Sequence, residues 1–236
     1  MKHKFLKEIL DINFNNKNIA DVRRFMELFT EYNLHTNLMS KNDIPFLFEK
    51  HVFDSLAFNL FYRKYKLKNN LNLMDIGSGG GFPSLLIAMF YKNINVFAVD
   101  SVNKKVNFLR KIKEDLLLKN FIPKNLRIED IAEDKKNSFD IVTARAFSSL
   151  NVALEYAIPY LVKGGYFVAY KSIAVEDEIE HAQNALKVLG AEIIEKIEYK
   201  LPLAEDFYRL LLIIRKKGQT PDVYPRNPAI IKKNPL

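Results

Sequence analysis

The chain predicts an α/β fold, a mostly parallel seven-stranded sheet with helices on both faces, preceded by a helical extension. Three observations carry this. Apolar residues in the first 68 positions recur at three- and four-residue spacing, the period of helices with one buried face. From Leu71 onward, short apolar runs alternate with helical patterns, which implies parallel strands joined by crossover helices. The first of these runs ends in Asp75-Ile-Gly-Ser-Gly-Gly-Gly81, which holds four of the chain's eight glycines. Strand, glycine turn and helix in succession let a ligand approach bare backbone.

In the extension, Asn18 can cap a helix carrying Ile19, Val22, Phe25, Met26 and Phe29. Asp43 can cap another, with Pro45 in its first turn and Phe46, Phe48, Val52, Phe53 and Leu56 following. His51 on that helix reads as a packed or capping residue, with a ligand role open. Residues 71–76 form the first strand, and Pro83 starts a helix where its missing N–H costs nothing. A second strand at 95–99 ends at Asp100, and a helix over 103–118 turns Val106, Leu109 and Ile112 inward. A third strand is expected around 126–128 and a fourth over 139–143, followed by the loop Ala144-Arg145-Ala146-Phe147. A short helix over 152–159, a Gly164-Gly165 turn and a fifth strand over 166–170 come next. The helix over 175–189 stops at Gly190, a residue suited to a left-handed cap. The last two strands, 191–199 and 207–215, are close enough to pair as an antiparallel edge hairpin. Any ligand should lie beyond the strands' carboxyl ends at the topological switch point. Three regions result: a helical extension (1–68) packed on the core, the main domain (69–216) and a basic carboxyl-terminal tail (217–236).

Composition narrows the function. Hydrophobic residues make up 48% of the chain, ample for a core. There is no cysteine, which fits a reducing compartment and removes disulfides, thiolate metal ligands and a cysteine nucleophile. No metal site is expected. No run of eighteen apolar residues exists and the amino terminus lacks a secretory apolar core, so a cytoplasmic protein without membrane contact is expected. From Arg215 to the end, six basic residues face one acid, Asp222, so this end supplies +5 of the net +8. Lys216, Lys217, Arg226, Lys232 and Lys233 are thus candidates for binding a polyanion such as RNA. A solvated lysine-rich surface would look the same.

A dinucleotide fingerprint, G-x-G-x-x-G, would require glycine where Phe82 stands. Asp75 before the loop would repel a pyrophosphate but suits the ammonium of an amino-acid ligand. The run Asp75, Gly77, Gly79, Gly81 and then Phe82 resembles motif I of Rossmann-like S-adenosylmethionine (SAM) methyltransferases. A phosphate-binding or structural glycine turn is the alternative. Asp100, 25 residues after Asp75, can accept both ribose hydroxyls of a nucleoside or cap the next helix. Ala132-Glu133 lies where an adenine would be lined. Without cysteine, covalent methylation at pyrimidine C5 has no nucleophile. The Asn/Asp-Pro-Pro-aromatic loop of exocyclic-amine methyltransferases is replaced by Thr143-Ala-Arg-Ala-Phe147. A cation at the mouth of the site, Arg145, fits an electron-rich, anionic substrate.

Over almost its whole length the chain resembles the RsmG (GidB) family. The shared segments are Tyr32-Asn-Leu-His-Thr-Asn-Leu38, His51-Val-Phe-Asp54-Ser55-Leu56, Asp75 through Pro83, Asp100-Ser101 with Lys104-Lys105-x-x-Phe108-Leu109, Arg145-Ala146-Phe147, Lys171, Tyr224-Pro-Arg226 and Lys232-Lys-Asn-Pro-Leu236. The resemblance implies SAM-dependent methylation of N7 of a guanine in the 530 loop of bacterial 16S ribosomal RNA. It assigns SAM contacts to Gly77, Phe82, Ala132, Glu133 and Arg145, with Ile128-Glu129 as an alternative register for the adenine segment. Its substrate would be ribosomal RNA or the small ribosomal subunit, including an assembly intermediate, and the enzyme a monomer. N7 carries a lone pair and no proton, so no general base is expected. Arg145 and Lys171 are candidates for holding the guanine edge or a flanking phosphate, and Phe82 or Phe147 for stacking an unstacked base, unless both rings are core. A SAM methyltransferase of another RNA or of a protein, or a binding module with a degenerate site, are the competing readings.

Overall fold

The computed structural model describes residues 2–65, 67, 69–131, 133–203 and 207–236. The extension opens with α1 (Lys2–Leu10) and α2 (Asn16–Thr36). Asn18 sits in the first turn of α2 and does not cap it. Asn15 caps, taking the Asn18 N–H at 2.8 Å while the Asn18 side chain takes the Asn15 N–H at 3.3 Å. This reciprocal pair starts the helix earlier than Asn18 alone would. Asp43 makes no side-chain cap. The segment after it is a 3₁₀ turn (Ile44–Phe46), a π-helical turn (Leu47–Val52), then α3 (Phe53–Leu56) and α4 (Phe58–Lys64). A π turn holds one residue more than an α turn, and this one carries Lys50 and His51, both of which meet Arg145.

Seven strands follow: β1 (Leu71–Ile76), β2 (Ile94–Asp100), β3 (Phe121–Asn125), β4 (Phe139–Arg145), β5 (Leu161–Ser172), β6 (Ala191–Lys200) and β7 (Tyr208–Lys216). Their order is β3-β2-β1-β4-β5-β7-β6, with β7 antiparallel to both neighbours and the other pairings parallel. This is the mostly parallel seven-stranded sheet that the strand–helix alternation predicts, with the expected hairpin at one edge. The third strand lies before residues 126–128, because 121–125 pair with β2 while Ile128 enters a 3₁₀ turn (Ile128–Asp130). As an edge strand β3 tolerates Pro123, whose missing N–H costs no ladder bond. Gly164-Gly165 is a bulge inside β5, where the register against β4 shifts between Phe139 and Ile141.

The crossover helices are α5 (Ser84–Phe90), α6 (Asn103–Asp115), α7 (Leu150–Ala157), α8 (Glu176–His181) and α9 (Gln183–Leu189), the last ended by left-handed Gly190. Alternate strand residues feed two cores. Leu73, Val96, Ile141 and Val168 meet α5, α6 and the extension, including Phe25, Phe29, Phe53 and Phe58. Met74, Ile76, Val142 and Phe167 meet α7, α9 and the carboxyl-terminal segment. That segment is docked, with α10 (Pro228–Lys233) burying Ile231 and Asn151 holding the Leu236 carbonyl at 3.0 Å. Among the described residues, no helix is long and apolar enough to cross a membrane.

Candidate active site

The site begins at Asp75, on a central strand between Ala98 and Thr143. Its carboxylate is buried. Oδ1 accepts a hydrogen bond from Thr143 Oγ1 at 2.7 Å, whereas Oδ2 has no partner. Burial pushes the Asp75 carboxyl up to about 6, the Thr143, Ser78 and Ser84 hydroxyls and the Arg145 charge only partly opposing it. After it, Gly77 has φ +73°, and a Cβ there would come within 2.7 Å of the Phe147 ring. The Gly79 N–H donates to Asp100 Oδ2 at 2.8 Å, while Asp100 Oδ1 accepts from the Val102 N–H at 2.8 Å. Asp100 therefore braces the glycine loop and the start of α6 with one carboxylate. Both oxygens keep a lone pair for a ligand hydroxyl.

The other two glycines do different work. A Cβ on Gly80 would lie 2.6 Å from the Phe29 ring of α2, and one on Gly81 2.9 Å from Leu85 and 3.0 Å from Leu109. Gly81 is needed as glycine because α5 and α6 close on it, and it does not line the cleft described below.

A cleft of about 340 Å³ opens at the carboxyl ends of β1, β2 and β4, lined among others by Gly77, Asp100, Ile128, Glu129, Phe147 and Tyr156. It lies at the switch point where the chain leaves β1 for β2 on one side and β4 on the other. Glu129 lines it and Glu133 does not: the Glu133 side chain is 84% exposed and pairs with Lys136 at 2.8 Å. A separate 3₁₀ turn (Glu133–Lys135) turns that acid outward, so the Ile128-Glu129 register is the one at the cleft. Ala132 lies outside the described residues. Tyr156, read from sequence only as part of a helix, is a wall residue that apolar periodicity gave no reason to single out.

Arg145 stands beside this cleft, engaged by the extension. Its guanidinium donates to Asp54 Oδ2 at 3.0 Å, His51 Nδ1 at 2.9 Å and the Lys50 carbonyl at 3.4 Å, and lies 5.1 Å above the Phe82 ring. With Arg145 donating, His51 Nδ1 is the acceptor and its ring proton sits on Nε2, which is buried without a partner. Burial first, and the neighbouring Arg145 cation second, lower His51 to about 4. Asp54 also takes the Tyr199 hydroxyl at 2.6 Å and lies 3.6 Å from Arg209 Nε. The Phe82 ring packs against Phe25, Phe29 and His51 at 5.4–5.6 Å between centroids, so it is core and offers no free stacking face. Phe147 is half-buried at the cleft. Lys171 pairs with Glu178 at 2.5 Å and donates to the Ser148 carbonyl at 3.2 Å. The loop after β4 is thus held from both sides, by Arg145 and by Lys171.

Residues 18–200 match the GidB family, described as rRNA small subunit methyltransferase G. The chain belongs to this family. The ribosomal RNA small subunit methyltransferase G of Streptococcus thermophilus (strain CNRZ 1066) is 40% identical over 234 residues, covering 98% of this chain and 96% of that protein. The protein of the same name from Fusobacterium nucleatum subsp. nucleatum is 36% identical over 230 residues, with 97% and 96% covered. Among solved structures, a SAM-dependent methyltransferase from Aquifex aeolicus superposes with a TM-score of 0.52 at 17% identity, over 73% of this chain and 95% of that one. TYW2 of M. jannaschii in complex with AdoMet gives 0.51 at 17% identity, over 66% and 74%. At these identities the structural likeness speaks for the fold.

In this member of the GidB family, two of the five tail cations are structural. Lys216 is 2% exposed and donates to Asn137 Oδ1, the Ile158 carbonyl and the Leu161 carbonyl at 2.8, 3.1 and 2.9 Å; burial lowers it to about 8. Arg226 is bidentate to the fully buried Glu155, at 2.7 Å for each bond. Neither is free for a polyanion, because each neutralises polar groups that the fold has already buried. Lys217 pairs with Glu192 at 3.0 Å on the surface, and Lys232 and Lys233 are exposed on the last turn of α10.

Proposed function

We propose that this protein methylates N7 of a guanine in the 530 loop of 16S ribosomal RNA, with SAM as methyl donor. The observation that carries the cofactor reading is the cleft where the Gly77 turn meets Asp100 at the ends of β1 and β2, with the Asp100 carboxylate at its wall. The buried carboxyl of Asp75, two residues before Gly77, is solvated only by the Thr143, Ser78 and Ser84 hydroxyls, and a ligand ammonium, directly or through water, would balance its charge. The cleft volume is within the range of small-molecule sites. Asp75 would hold the ammonium, the Gly77 and Gly79 backbone would pass close to the ligand, Asp100 would accept from the ribose hydroxyls, and Ile128 and Glu129 would border the adenine. When bound, SAM supplies an electrophilic methyl on a sulfonium.

Guanine N7 needs no proton removed, so the chain's own residues contribute alignment and exclusion of water. Phe147, on the loop clamped by Arg145 and Lys171, is the candidate surface for an unstacked base. Arg145 and Lys171 are then positioning residues: their charges are matched by Asp54 and Glu178, and they fix the loop that carries Phe147. Family membership and the names of the relatives support small-subunit ribosomal RNA as substrate; we take the protein to act in the cytoplasm as a monomer.

Transfer of tritium from labelled SAM to small-subunit RNA, followed by mapping of N7-methylguanine in RNA from cells with and without the protein, tests this. Loss of one N7-methylguanine in the deletion strain is expected. Label appearing in another RNA, in protein, or nowhere would overturn the reading.

A further inference from the structure

Residues 103–113, most of α6, carry five cations (Lys104, Lys105, Arg110, Lys111 and Lys113) and no acid. Val106, Phe108, Leu109 and Ile112 are buried against the sheet and the extension, which turns Lys104, Arg110 and Lys111 to the surface. None of these three is in an ion pair among the described residues. Arg110 donates to Asn107 at 2.9 Å, and Lys111 lies 5.7 Å above the Tyr32 ring. The acids at the end of the helix do not cancel the stripe. Glu114 is exposed beyond it, and Asp115, on which Lys111 also acts, is held by Arg24 of α2 at 2.8 and 3.0 Å. Glu27 and Glu31 of α2 also act on Arg24.

The placement runs against helix electrostatics. Lys104 and Lys105 occupy the first turn, with no acid there, at the positive end of the helix dipole. Each cation so placed costs about 0.3–1 kcal/mol, and packing returns nothing for the exposed Lys104. A local rule broken without a structural gain marks a functional surface. The stripe also leads to the site: Lys105, 4.0 Å from Asp100, and Arg127 both line the cleft. Lys104 and Lys111 are two turns apart, about 10.5 Å along the helix, a span that an RNA backbone crosses with successive phosphates.

We propose that the α6 face of Lys104, Arg110 and Lys111, leading to Lys105 and Arg127 at the cleft, is the track for the sugar-phosphate backbone of the substrate RNA. This rests on the reading above that the substrate is RNA. It moves the main electrostatic contact from the carboxyl-terminal segment, where Lys216 and Arg226 are committed to the fold, to the opposite side of the cleft's Asp100 wall.

The test compares the intact protein with the triple variant Lys104→Gln, Arg110→Gln, Lys111→Gln and with Lys232→Gln, Lys233→Gln. Binding to a small-subunit ribosomal RNA fragment is measured across a salt series, with SAM affinity and thermal unfolding followed in parallel. Each phosphate contact on single-stranded RNA contributes about 0.7 to the slope of log K against log salt. The triple variant should therefore lose about two from the slope and at least tenfold in affinity, with SAM affinity unchanged and melting no lower than that of the intact protein, and lose more than the tail variant. A triple variant with the wild-type slope, or a tail variant that loses more, would overturn the α6 track while leaving the RNA reading intact. An intact protein that binds this RNA without salt dependence, or not at all, would overturn both.

Discussion

Arg145 and Asp54 form a buried ion pair, 3.0 Å long, that joins the end of β4 to the helical extension. Asp54 is 2% exposed and sits where the extension, β6 and β7 also meet through Tyr199 and Arg209. Arg145→Ala should cost about 3–5 kcal/mol, because it strands a buried carboxylate. The Arg145→Ala, Asp54→Ala double variant should lose less than the sum of the singles. Urea unfolding of the four proteins checks this. A wild-type unfolding free energy for Arg145→Ala would show that the cation is free to serve a ligand instead.

Asp75 carries a cost that a ligand can relieve. Its carboxyl is raised to about 6 from an ordinary value near 4, so the native state keeps a proton that the unfolded chain releases. With respect to this group, stability is greatest below pH 4, falls between pH 4 and 6, and stays lower above that by on the order of 3 kcal/mol. Asp75→Asn keeps an acceptor for Thr143 and removes the charge. It should unfold at higher urea than the wild type at pH 7, bind SAM at least tenfold more weakly, and close that stability gap at pH 4. Equal stability of the two proteins at pH 7 would count against the buried charge.

The glycine loop is roofed by the extension, since the hydrogen of Gly80 faces Phe29 of α2. Gly80→Ala should cost about 1–3 kcal/mol through overpacking. Phe29→Leu in the same chain should recover part of that, with a coupling of at least about 0.5 kcal/mol. Additive losses in thermal unfolding would show that the two positions do not meet.

Lys216 and Arg226 should act on folding and not on RNA. Lys216→Met leaves the Ile158 and Leu161 carbonyls without their donor and should cost about 1–3 kcal/mol. Arg226→Ala strands Glu155 and should cost about 3–5 kcal/mol. In both, the salt slope of RNA binding should match the wild type, and a reduced slope would restore them to the nucleic-acid surface.

Much of this was legible in the chain because strand alternation and a glycine turn are local signals. Gly77 and Asp100 stand at the cleft because their spacing places them at the ends of β1 and β2. What the sequence hid were long-range pairings. Nothing near Lys216 or Arg226 announces that Asn137 and Glu155 lie opposite them. The partner of Arg145, Asp54, is 91 residues away on α3 of the extension, just after its π-helical turn. Glu133 looked equal to Glu129 because two consecutive 3₁₀ turns, not periodicity, decide which acid faces inward. The packing need for glycine at 81 was hidden because its partners, Leu85 and Leu109, arrive with later helices.

The strand order also bears on how the chain is made. β6 leaves the ribosome before β7, yet its only sheet neighbour is β7, which separates it from β5. Until residues 208–216 are synthesised, β5 and β6 therefore present two open edges, the state most exposed to wrong pairing. The sheet therefore closes only once β7 has been made. A message truncated before Tyr208 would release a chain with its edges unsealed, fit for degradation and not for partial activity.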